Sequence, residues 1–194
     1  MTTNKKRCFI ACPVNEEILA FLKKYRLSIS ALPWSKSLRW TPDQNIHLTV
    51  KFLGDITDTQ ITSICGELTQ GLAAVPSLTA CLLQPTAFPN LGRPSVIASP
   101  VVPDTNLTAL ASQIDAVVSQ FGISRENRHF RGHVTIARIK ARINAQDLIN
   151  QTPDKIPFPI GQVIFYQSEL QKSGPKYSIL DVFKLSPLAV HEQA

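Results

Sequence analysis

Apolar and polar positions along the chain fall into short runs that predict a mixture of strands and helices. Residues 7–14 form an apolar, strand-like run. Asn15 is placed to cap a helix, and Glu16 and Glu17 suit the positive end of its dipole. Ile18, Leu19, Phe21 and Leu22 supply the buried stripe of that helix. Residues 28–45 read as a polar connection carrying Pro and Trp. Residues 46–53 read as a strand closed by Gly54-Asp55, and residues 57–72 as a second helix. Strands are expected at 78–83 and 96–102, separated by the turn-rich stretch from Gln84-Pro85 to Arg93-Pro94. Residues 104–121 form a third helix, with Leu107, Leu110, Ala111, Ile114, Val117 and Val118 facing inward and Gly122 ending it. A strand follows at 131–139, then a short helical piece near 144–150. Two closing strands at 163–170 and 177–185 are joined through residues 172–175. This order, without a glycine-rich phosphate loop, predicts an α+β fold rich in antiparallel pairing.

One pattern recurs. His47-Leu48-Thr49-Val50 returns as His133-Val134-Thr135-Ile136, 86 residues later. Each copy falls on a predicted strand preceded by a helix. A duplicated β-α-β unit accounts for this, giving two similar lobes related by approximate two-fold symmetry, with a cleft between them. Residues 1–188 would form this single two-lobed domain and residues 189–194 a tail. Side chains alternate between the faces of a strand, so Asn45, His47, Thr49 and Lys51 share one face, against Ile46, Leu48, Val50 and Phe52. In the second copy Arg131, His133, Thr135 and Ala137 share a face, against Val134 and Ile136.

Two imidazoles and two hydroxyls lining one cleft suit a phosphodiester. One neutral histidine can take a proton from the attacking oxygen, and a protonated one can give a proton to the leaving oxygen. Threonine hydroxyls can donate to the non-bridging oxygens where charge builds. The other histidines fit no such scheme. His129 and His133, four apart on a strand, would lie ~13 Å from each other and cannot share an ion. His129 is read as a surface or loop residue, and His191 lies in the polar tail. No G-x-S-x-G elbow supports a serine hydrolase.

Charge sharpens this picture. The net charge of +6 favours polyanionic partners such as RNA. At 44% hydrophobic and 18% charged, the chain is globular rather than disordered. No apolar run approaches the ~18–20 residues of a membrane span, and the N-terminal apolar stretch, broken by Pro13, reads as a strand rather than a signal peptide. A cytoplasmic protein with no membrane association is expected. Cys8, Cys12, Cys65 and Cys81 form no C-x-x-C pair and are read as small buried hydrophobes, with no zinc or redox role.

These residues resemble the RNA 2',3'-cyclic phosphodiesterase (2'-5' RNA ligase) family of the two-histidine phosphoesterase superfamily. The resemblance runs from residues 7–11 through Trp40 and residues 45–54, then Phe88-Pro89 and Arg93-Pro94, then residues 130–138, and finally residues 168–180 with Gly174 and Tyr177. It implies a two-lobed fold that opens a 2',3'-cyclic phosphate on RNA, or on a small cyclic nucleotide, to a 2'-phosphomonoester. It also implies that His133 is the general base, that His47 is the general acid, and that Thr49, Thr135 and Arg138 hold the phosphate, with no metal and no cofactor. Arg138 has the wrong parity for the face of His133 and reaches the cleft only through a strand end or bulge. Gly132 stands where the family usually has proline, which predicts a looser approach to His133. Phe9, Trp40, Phe52 and Phe130 are candidates to stack on a base. A monomer is the expected state. Two alternatives stay open: reversible 2'-5' ligation of RNA at the same site, and a nucleotide- or RNA-binding module with little turnover.

Overall fold

The computed structural model describes residues 5–102, 105–141, 143, 148, 155–172 and 174–187. The helical piece expected at 144–150, His191 and the C-terminal tail lie essentially outside these residues. Among them are three α-helices and ten strands, almost all paired antiparallel, so the fold is α+β.

Strand β1 (Lys5–Pro13) leads into helix α1 (Glu16–Ser30), where the Asn15 side chain accepts a hydrogen bond from the Ile18 amide as the cap residue should. The helix buries Ile18, Leu22, Tyr25 and Ile29, so its stripe extends two turns beyond the residues read from the sequence. The polar connection is more structured than its composition suggested. It holds two 3-10 turns, Pro33–Ser37 and Asp43–Asn45, around a short strand β2 (Leu38–Trp40). Strand β3 (His47–Thr57) does not stop at Gly54-Asp55. Gly54 adopts φ +73° inside the strand, a left-handed bend that glycine takes without strain, and pairing with β1 continues through it. Helix α2 (Asp58–Leu72) opens with a reciprocal capping box between Thr57 and Gln60.

Strands β4 (Leu78–Leu83) and β6 (Val96–Val102) lie where the pattern placed them. The turn-rich stretch between them also contains β5 (Thr86–Phe88), which pairs with β6. Helix α3 (Thr105–Ser119) is followed by Gly122 at φ +82°. Strand β7 starts at His133, not Arg131, and runs to Ile139. Strand β8 (Lys155–Ile160), which the pattern did not reveal, pairs with β4. β9 (Gln162–Gln171) and β10 (Gly174–Lys184) form the closing hairpin.

The strand order is β10-β9-β1-β3-β7-β6-β4-β8. The core runs continuously beneath it, with Ile10, Leu48, Val134, Ile136, Phe158 and Phe165 fully buried. At its centre β3 and β7 are antiparallel neighbours whose registered pair is Leu48 with Val134. Both strands begin at their histidine and run in opposite directions, so they overlap only at their first residues. From there β3 continues along β1, and β7 continues between β6 and β2.

Candidate active site

Leu48 and Val134 point into the core at that junction, both fully buried. Their neighbours therefore turn to the other face: His47 and Thr49 from β3, His133 and Thr135 from β7. Continuing the register from Leu48 and Val134 sets His47 opposite Thr135 and Thr49 opposite His133. The two imidazoles then occupy a diagonal, which in a regular ladder spans about 7–8 Å. That gap suits a phosphate between two rings.

The flanking strands repeat the arrangement. On β1, Pro13 lies opposite His47 and Ala11 opposite Thr49. On β6, Pro100 lies opposite His133 and Ala98 opposite Thr135. The echo thus extends to Ala11-Cys12-Pro13-Val14 and Ala98-Ser99-Pro100-Val101, a second repeat legible in the sequence but overshadowed by the histidine motif.

Each motif also carries a bulge at its fourth residue. Ile10 pairs with Lys51 while Ala11 pairs with Thr49, leaving Val50 as an extra residue on β3. Ile97 pairs with Ala137 while Ala98 pairs with Thr135, leaving Ile136 extra on β7. A bulge inverts the parity of everything after it. Strict alternation therefore misplaces four side chains. Lys51 does not share the face of His47. It turns inward, 9% exposed, to ion-pair with Asp115 and donate to the Ser124 carbonyl at 2.8 Å. Ala137 likewise turns into the core. Arg138 swings onto the face of His133 and Thr135, where it is exposed and close enough to Tyr177 to act electrostatically on its phenol. The same inversion brings Phe52, five residues after His47 as Arg138 is after His133, onto the face of His47 and Thr49.

Backbone carbonyls set both rings. His47 Nδ1 lies 2.9 Å from the Asn45 carbonyl, and His133 Nδ1 lies 3.0 Å from the Arg131 carbonyl. A carbonyl only accepts, so each Nδ1 carries the proton in the neutral ring, and each Nε2 is left with its lone pair. The Thr49 hydroxyl is 3.0 Å from His47 Nε2.

Aromatic plates hold the rings in place, and the sequence pattern missed most of them. Phe9 stacks on His47 with centroids 4.9 Å apart, and Tyr177 meets it edge-on at 5.5 Å. Tyr166 backs Phe9 at 5.1 Å. On the other side Phe88 stacks on His133 at 4.3 Å, and the Arg131 guanidinium sits 5.3 Å from the Phe88 ring centroid. Strand register on β9 and β10 brings Tyr166 and Tyr177 here, a relation no local spacing reveals. Of the four stacking candidates, Phe9 is buried against His47 and Trp40 lies under the Arg26 guanidinium, which sits 5.1 Å from its ring centroid. Phe130 packs beside Gly132, whereas Phe52 stands in solvent at 68% exposure.

Burial acts on the His47 ring. Burial lowers the His47 pKa from 6.5 to about 4; the Asn45 carbonyl opposes this, and the charge of His133 adds to it. His47 is thus neutral at pH 7 in the ligand-free site. Gly132 is not loose. It is buried, its carbonyl accepts from the Val101 amide at 2.9 Å, and a Cβ there would sit 3.1–3.3 Å from Phe130, Leu48 and Val101. His129 is exposed in the loop before β7, as expected. The cysteines Cys8 and Cys12 are buried, and burial pushes the Cys12 thiol up to about 12. No cluster of three His, Cys, Asp or Glu suited to a metal occurs among the described residues, and no described helix is long and apolar enough to cross a membrane.

The chain is similar to known proteins in sequence and in fold. An RNA 2',3'-cyclic phosphodiesterase of Aquifex aeolicus is 29% identical over 153 residues, covering 76% of this chain and 81% of that protein. One from Thermotoga maritima is 28% identical over 178 residues, covering 90% and 92%. Among solved structures, TT0787 of Thermus thermophilus superposes with a TM-score of 0.76 at 24% identity, over 92% of this chain and 97% of that one. Apo LigT of E. coli superposes with a TM-score of 0.73 at 19% identity, over 94% and 99%. LigT has also been solved with 3'-AMP. The sequence signature of the 2'-5' RNA ligase superfamily matches residues 16–171, and with most of its length so covered the chain belongs to that superfamily.

Proposed function

We propose that this protein is an enzyme that hydrolyses RNA 2',3'-cyclic phosphates to 2'-phosphomonoesters by metal-independent acid–base catalysis. The observation that carries the reading is the junction of β3 and β7, whose register turns His47, Thr49, His133 and Thr135 to one face with the imidazoles on a diagonal of the ladder. The relatives named RNA 2',3'-cyclic phosphodiesterase support the substrate class.

In this mechanism the cyclic phosphate sits between the imidazoles. His133 Nε2 takes a proton from water as the water oxygen attacks phosphorus. The bond from phosphorus to the 3'-oxygen breaks, and that oxygen leaves with a proton from His47 Nε2. The products are a 2'-phosphate and a 3'-hydroxyl, and a proton returning from His133 to His47 through solvent resets the site. Thr49, Thr135 and Arg138 donate to the non-bridging oxygens, where negative charge grows. Burial works against a protonated His47 in the empty site, so the anionic substrate itself must stabilise the imidazolium. The Thr49 hydroxyl, which points at Nε2 when the site is empty, is then free to turn to the phosphate. Two matching motifs related by approximate two-fold symmetry supply an acid on one side of phosphorus and a base on the other.

The test is the product formed from a defined RNA with a 2',3'-cyclic end. A 2'-phosphate formed at undiminished rate in EDTA supports the reading. A 3'-phosphate, or activity lost in EDTA and restored by a divalent ion, overturns it. The same acid and base serve the reverse direction, and the superfamily takes its name from 2'-5' ligation. Incubating a cyclic-phosphate end with a 5'-hydroxyl end and scoring the joined product measures that second reading directly.

A further inference from the structure

β2 and β7 pair so that Arg39 lies directly opposite Arg138. Their neighbours Leu38 and Ala137 are buried, so both arginines occupy the exposed face, which the bulge at Ile136 has made the face of His133 and Thr135. Both side chains therefore add positive charge to the face that carries His133 and Thr135. A second observation fixes where Arg39 points. Its Nη2 lies 2.5 Å from where a Cβ on Gly174 would stand, so the guanidinium rests on the glycine backbone at the start of β10. Gly174 sits at φ +129°, and Asn45 Nδ2 donates to the adjoining Pro175 carbonyl at 2.9 Å. The β9–β10 hairpin is thereby docked against β2, three residues from Tyr177, which itself packs against His47. Arg7, on the same side, also acts electrostatically on the Tyr177 phenol.

We propose that Arg39, paired across strands with Arg138, determines substrate length by binding a second phosphate of the RNA, the one on the 5' side of the terminal nucleoside. This rests on the cyclic phosphodiesterase reading of the site. Arg138 faces the reacting phosphate, and Arg39, one strand further out, takes the next anion along the chain. Guanidinium suits this role because its planar fork binds phosphate oxygens two at a time. The site then reads two phosphates one nucleoside apart and favours an RNA end over a bare cyclic mononucleotide.

The experiment compares kcat/KM for adenosine 2',3'-cyclic phosphate, for the same nucleoside carrying a 5'-phosphate, and for the dinucleotide ApA with a 2',3'-cyclic end. Each is measured with the parent protein, Arg39→Ala and Arg39→Lys. Arg39→Ala should lower kcat/KM about 10- to 100-fold on the dinucleotide, the size of a lost charge-assisted hydrogen bond, mainly through KM. Turnover of the unphosphorylated mononucleotide should stay within about twofold. Arg39→Lys should recover part of the loss. The salt slope of dinucleotide binding should shrink by about 0.7. A 5'-phosphorylated mononucleotide that responds like the dinucleotide shows that any phosphate at this distance suffices; one that responds like the bare mononucleotide shows that the diester is required. Equal losses on all three substrates would make Arg39 a structural prop and overturn the proposal. Failure of the parent to turn over any of them would sink the hydrolase reading instead. Affinity for the dinucleotide ApA bearing a 2'-phosphate, measured by calorimetry, then still decides the role of Arg39: an unchanged Kd in Arg39→Ala overturns it.

Discussion

Acidification should destabilise this protein through His47. The ring is enclosed by Phe9, Tyr166 and Tyr177, and burial holds its pKa at about 4 against 6.5 in an open chain. Between those values the unfolded chain binds a proton at this histidine and the folded protein does not. Stability is therefore fully present above pH 6.5 and is lost as pH falls toward 4. At ~1.4 kcal/mol per pH unit, the loss amounts to about 3 kcal/mol. Urea unfolding of the parent and of His47→Gln, each at pH 7 and pH 4, reads this contribution as a difference, because the charges remote from the ring are common to both proteins. The parent should lose about 3 kcal/mol more than the variant across that range. The imidazole Cε1 proton in NMR should titrate with a midpoint near 4, and inorganic phosphate should raise that midpoint by supplying an anion beside the ring. Equal acid sensitivity in the two proteins, or a midpoint near 6.5, would refute the burial argument and its consequence for the acid step.

Replacing His47 or His133 by Ala should cut turnover of a cyclic-ended RNA by at least ~100-fold, the usual size of an acid–base contribution; steady-state rates check this, and near-normal turnover in both would dismiss the proposed chemistry. Gly132→Ala should lower stability by about 1–3 kcal/mol, since its methyl would press on Phe130, Leu48 and Val101, and a thermal melt reads the shift. Lys51→Met should cost about 3 kcal/mol by leaving Asp115 without its cation in a poorly hydrated place; a denaturant titration that shows no change would mean the charge pair is dispensable.

Much of the fold was legible because local patterns carried it. Leu78–Leu83 and Val96–Val102 have strand periodicity with turn residues around them, and Asn15 and Thr57 announce their helices by capping chemistry. The histidine motifs were visible because the same His-x-Thr-x pattern occurs twice. What escaped depended on partners distant in the chain. β2, β5 and β8 are short strands or ones interrupted by proline, stabilised by pairing with β7, β6 and β4 rather than by their own pattern. Lys51, Ala137 and Phe52 lie on the faces opposite to those alternation gives, because alternation presumes an unbroken ladder; Arg138 reaches the face of His133 through the bulge, and the extra residues at Val50 and Ile136 follow from register with β1 and β6. Phe88, Tyr166 and Tyr177 likewise reach the histidines only through strand order.

The meeting of β3 and β7 at Leu48 and Val134 has a wider consequence. With so short an overlap, the backbone acts there as a seam, and the separation of the two imidazoles is gauged by the apolar groups packed beneath it, Leu48 beside Gly132 among them. Trimming or enlarging that wedge would widen or narrow the reaction gap while leaving every reacting group intact. The calibration of the chemistry thus resides in hydrocarbon that never meets the substrate.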